Sequence, residues 1–73
     1  MNIYGIHIME YTGCKTEEAP LVEGFMREKY GTLDAIDRPT FRREAKKGLA
    51  AVRADPKLAA DLAADWGFLA ITK

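Results

Sequence analysis

The chain has one cysteine, one histidine, no net charge and no long apolar run. Each scarcity closes off a class of function. A lone Cys14 cannot form an intramolecular disulfide, and without a CxxC pair or a Cys/His cluster there is no zinc framework. The opening MNIYGIHIMEY has neither a basic leader region nor an uninterrupted apolar stretch, which argues against a secretory signal and a membrane span. We therefore expect a cytoplasmic protein with no membrane partner. The 73 residues are too few for two hydrophobic cores, so residues 1–73 are expected to form one small domain. Such a domain buries roughly 60% of the surface its unfolded chain exposes, so a partner or a second copy would add usefully to its stability.

Catalytic and metal chemistry find little support in the residues present. His7 and Cys14 would need to meet for a thiolate to be generated near neutral pH, and no third orienting group or oxyanion-forming glycine loop accompanies them. Asp61 and Asp65 fall at helical spacing, but a hard cation needs several more oxygen ligands in a defined loop. A solvated helix flank explains that pair, and turn formation explains Asp34 and Asp37. The expectation is a protein that is not an enzyme, with no cofactor and no bound metal.

The architecture predicted from periodicity is mainly α: three main helices, a short N-terminal strand and room for a C-terminal strand. Residues 2–11, NIYGIHIMEY, are rich in β-branched and aromatic side chains, with Tyr4, Ile6 and Ile8 on one face at a period of two, which predicts a strand. Leu21, Val22, Phe25, Met26 and Tyr30 recur at three-to-four spacing and predict a helix over 16–30. Thr16 suits its N-cap and Gly31 its stop, while Pro20 would be accommodated only if the helix began nearer Ala19. Residues 32–37 read as one turn pinned by Leu33 and Ile36. A third helix follows Pro39, with Phe41, Ala45, Gly48, Leu49 and Val52 in a single stripe. Asp55 as N-cap and Pro56 at the first helical position open a last helix that runs to Trp66, with Gly67 as its stop. The tail FLAITK is β-capable.

Two further features bear on nucleic acids. LAADLAADWGF, residues 58–68, resembles the first helix and turn of a helix-turn-helix DNA-binding unit, in which a small residue and a glycine bracket the turn. That resemblance implies a recognition helix after the glycine, and FLAITK does not supply one, so the segment is read as an Ala-rich packing helix. Trp66, Phe25, Phe41 and Tyr30 could stack on bases, but all four fall on the expected core-facing stripes.

The charge distribution is the most informative feature. Residues 1–37 carry three Lys/Arg against seven Asp/Glu, residues 38–57 carry seven against two, and residues 58–73 carry one against two. Within the basic segment, Arg42, Lys46 and Arg53 flank the apolar stripe, Arg43 and Lys47 lie on its far side, and Glu44 stands alone. A solvated helix balanced by the acidic segment at 17–28 would account for these charges. The functional expectation is a non-enzymatic protein-binding, accessory or inhibitory protein, of the kind phages and mobile elements carry. It would dock an acidic protein surface, or a second copy, through the basic helix at 40–54, with Arg42, Arg43, Lys46, Lys47 and Arg53 as contacts. The alternative is a nucleic-acid-binding protein using the same helix on phosphates, against which stand the pI of about 6.6 and the acidic first half.

Overall fold

A computed structural model describes residues 3–70. Four helices follow one another: α1 (Ile3–Thr12), α2 (Ala19–Tyr30), α3 (Arg38–Ala54) and α4 (Pro56–Trp66), with a 3₁₀ turn over Gly67–Ala70. Among the described residues there is no strand. The N-terminal strand expected over 2–11 is instead α1, and Asn2 lies outside the described residues. Tyr4 and Ile8 are four apart and so satisfy either period, but Ile6, which the strand pattern turns inward, is 44% exposed, and Gly5, which it turns outward, is buried. A helix satisfies its backbone groups internally, whereas an unpaired strand cannot, and that requirement outweighs the local β preference of Ile and Tyr. Of the C-terminal strand suggested for FLAITK, residues 68–70 belong to the 3₁₀ turn and residues 71–73 lie outside the described residues.

The remaining elements stand close to where the sequence puts them. Thr12 ends α1, its hydroxyl donating to the Ile8 carbonyl at 2.7 Å and accepting from the Cys14 amide at 3.2 Å. The α2 start differs in detail from the Thr16 cap. The Lys15 carbonyl accepts from the Glu18 and Ala19 amides, and the Glu18 carboxylate reaches back to the Lys15 N–H at 2.9 Å, half of a capping box. Gly31, at φ 79°, closes α2 with its N–H on the Arg27 carbonyl. Asp55 caps α4 as expected, accepting from the Lys57 and Leu58 amides at 3.1 and 3.2 Å. Gly67 does not act as a left-handed stop. Its φ of −58° is right-handed, so the chain tightens into the 3₁₀ turn.

α2 and α3 pack together and form the middle of the molecule; α1 covers both on one side and α4 covers both on another, with no close backbone approach between α1 and α4. The stripe Phe41, Ala45, Gly48, Leu49 and Val52 is buried as predicted. Its Phe41, Ala45 and Leu49 meet Ile8 of α1 and Val22 and Met26 of α2 in one core, closed from the loop side by Leu33. Gly48 allows α2 and α3 to approach closely, since a Cβ there would stand 2.9 Å from Phe25 Cδ1. The radius of gyration, 10.8 Å, matches the roughly 11 Å expected of a compact domain of this length.

Candidate functional site

The packing of α1 beside the first half of α3 organises the cations. Residues 38, 42 and 46 are four apart, so Arg38, Arg42 and Lys46 form one line along α3, about 6 Å between successive Cα positions. Tyr11 of α1 stands beside that line, its ring centroid 5.9 Å from that of Phe41. Together with Pro39 and Arg43 these residues wall a groove of about 520 Å³ with no acidic residue in its lining. Among the described residues, Arg38, Arg42 and Lys46 have no ion-pair partner. Arg43 is 3.9 Å from Glu44, with its side chain 68% exposed.

Elsewhere several charges are matched inside the fold. Arg53 donates from Nε and Nη2 to the two oxygens of Glu18, at 2.9 and 3.0 Å. This fork lowers the Glu18 carboxyl to about 2, because the guanidinium stabilises its ionised form. Glu44 is buried at 4% exposure and accepts from Lys29 Nζ at 3.0 Å. The Lys29 ammonium holds the Glu44 carboxyl below the usual carboxylate range, with Lys47 and Arg43 adding to the effect against the opposing influence of burial. Glu23, also buried, pairs with Arg27 at 2.9 Å.

Of the five residues singled out from the sequence, the structure gathers Arg42, Arg43 and Lys46 at the groove. Lys47 is exposed and stands near Glu44, and Arg53 is engaged with Glu18 away from the groove. Arg38 and Tyr11 were not expected there. Arg38 sits one helical step before Arg42 and would have been found by starting the helix at Asp37 rather than at Pro39. No signal in the sequence marks Tyr11, which reaches α3 only because residues 3–12 are helical.

The other candidates find structural places. His7 lies 3.3 Å from Glu10 and stacks on Tyr11 with ring centroids 6.2 Å apart. Cys14 is a buried member of the core. Asp61 and Asp65 are exposed on α4, and among the described residues no three His, Cys, Asp or Glu side chains are arranged to hold a metal ion. No helix among them is long and apolar enough to cross a membrane. Phe41 is buried and Phe25 partly so, while Trp66 donates to Glu28 at 3.0 Å. Tyr30 is the exception to the expected aromatic burial: it is exposed, with Lys29 Nζ 5.6 Å from its ring centroid.

The groove thus offers guanidinium and ammonium donors beside a phenol, a set suited to holding an anionic group. Arg supplies planar, two-pronged contacts to carboxylate and Lys a mobile point charge. In comparisons with protein-family models, curated proteins and solved structures, nothing matched this chain. The class defined here is therefore one of architecture and charge: four helices among the described residues, with a basic groove between α1 and α3.

Proposed function

We propose that this is a non-enzymatic binding protein that docks an acidic protein surface in the groove between α1 and α3. Arg42, Arg43 and Lys46 are the contacts, joined by Arg38. The observation that carries this reading is the row Arg38, Arg42 and Lys46, which has no carboxylate partner among the described residues, in a groove whose lining holds no acid. Arg53 and Lys29, by contrast, are each paired with a carboxylate of the fold. Long-range attraction from such a row speeds encounter with an acidic partner and weakens as salt rises.

Fluorescence anisotropy of a labelled oligoglutamate peptide tests this. We expect binding that weakens with added salt and falls at least about tenfold in the Arg42→Glu/Lys46→Glu double variant, since each reversal turns attraction into repulsion. Salt-insensitive binding, or equal affinity in the double variant, would overturn the reading. A second probe, an oligonucleotide of equal charge, addresses the other use of the same cations. Tyr11 beside the row is the observation that favours it, because an aromatic ring next to phosphate-binding cations can stack on a base. Tighter binding of the oligonucleotide than of the peptide would transfer the groove to nucleic acid.

A further inference from the structure

The basic groove continues into a second depression of about 390 Å³, and Tyr11 and Arg38 line both. Its character differs. Tyr4, His7 and Tyr11 project from α1 around Phe41 of α3, with ring centroids 6.3, 6.4 and 5.9 Å from that of Phe41. Leu33 and Ile36 of the α2–α3 connection also line it, while Asp34 at the same site adds a negative charge. An anion would be repelled by Asp34, and a cation would meet Arg38, so an uncharged apolar group is the occupant this depression accepts best. Aromatic walls around a partly formed apolar pocket are also the usual seat of an interface anchor.

Resting on the reading of the basic groove as a site for an acidic protein, we propose that the occupant is a peptide segment of that partner in which one bulky apolar residue adjoins a short acidic run. The apolar residue seats among Tyr4, His7, Tyr11 and Phe41, and the acidic residues follow α3 from Arg38 to Lys46. The row spans eight residues of helix, about 12 Å, which an extended peptide covers in about four residues. Asp34 sets the polarity of the segment: acidic residues lie on the side of the anchor toward Lys46, so the anchor stands at the end of the acidic run and not in its middle.

Three synthetic peptides of equal charge test this by anisotropy: an acidic run with a terminal Leu, the same with terminal Ala, and the same with Leu at its centre. We expect the terminal-Leu peptide to bind about tenfold tighter than the Ala peptide, the scale of burying much of one such side chain, and tighter than the central-Leu peptide. The preference for Leu should disappear in His7→Asp, which adds a charge to the pocket wall on a partly exposed residue, and thermal melting checks that this variant is folded. If the three peptides bind equally, and all lose affinity in Arg42→Glu/Lys46→Glu, the anchor pocket is wrong and the acidic-partner reading stands. If none binds, or if an oligonucleotide of equal charge displaces them all, both are overturned.

Discussion

At the C-terminal end of α3, Arg53 reaches across to Glu18 and makes two bonds of 2.9 and 3.0 Å. Two to three turns earlier on the same helix, Arg42 and Lys46 face a groove with no acid in its lining. The two ends share a helix and a sign of charge, and they differ in what the neighbouring helices bring to them. α2 presents the buried Glu44 with Lys29 and, from its leading edge, presents Arg53 with Glu18; α1 presents the first half of α3 with Tyr4, His7 and Tyr11. A run of positive charge is thus two populations, one paired inside the fold and one without a carboxylate partner among the described residues, which we propose serves docking. The distinction lies in tertiary neighbours and not in the residues themselves.

Substitutions should separate the populations. The largest stability effect is expected for Lys29→Ala, which strips the nearest cation from Glu44, a carboxylate 4% exposed. Arg43 and Lys47 remain near Glu44, but a buried carboxylate without its hydrogen-bonded cation is costly, and we expect a clear fall in the urea midpoint. Adding Glu44→Leu to that variant should recover much of the loss, since an apolar side chain needs no counter-ion.

Arg53→Gln should cost less, because the Arg53 end of the pair is in solvent. Its clearer mark is in pH dependence. Glu18 is lowered to about 2 in the folded protein from an ordinary value of 4.5, so its contribution is complete above about 4.5 and is lost as pH falls toward 2. Glu44, lowered by Lys29, acts in the same direction and over the acid side as well. Stability measured against pH should therefore decline through this window in the wild type, and less steeply in Arg53→Gln. The smallest stability effects are expected for Arg42→Ala and Lys46→Ala taken singly, each within about 0.5 kcal/mol, as befits surface side chains with no partner in the fold. A loss well above that for either residue would mean that it supports the fold and is not held for a partner.

Much of the fold was legible before the structure. The stripe from Phe41 to Val52, the Asp55–Pro56 start of α4 and the Gly31 end of α2 each rest on a local rule that tertiary packing did not override. α1 was not legible, because Tyr4 and Ile8 fit both periods and the β-branched Ile3, Ile6 and Ile8 pointed to a strand. That single misreading hid Tyr11 at the basic groove and Tyr4 and His7 at the adjoining depression, which come to α3 only when residues 3–12 are helical. The pairing of charges was legible only as a balance between segments. Glu44, read as isolated on its flank, is bound by Lys29 from α2, and Arg53, read as a contact, is held by Glu18, 35 positions away. Such contacts depend on how helices cross, which no local pattern encodes.

The proposed division of α3 into a structural end and a docking end is tested most directly by measuring the affinity of one acidic peptide for Arg42→Glu/Lys46→Glu and for Arg53→Gln, beside the thermal stability of each. We expect the first variant to keep its melting temperature and lose at least about tenfold in affinity, and the second to bind as the wild type does while melting lower. Equal losses of affinity in the two variants, or loss in Arg53→Gln alone, would contradict the division.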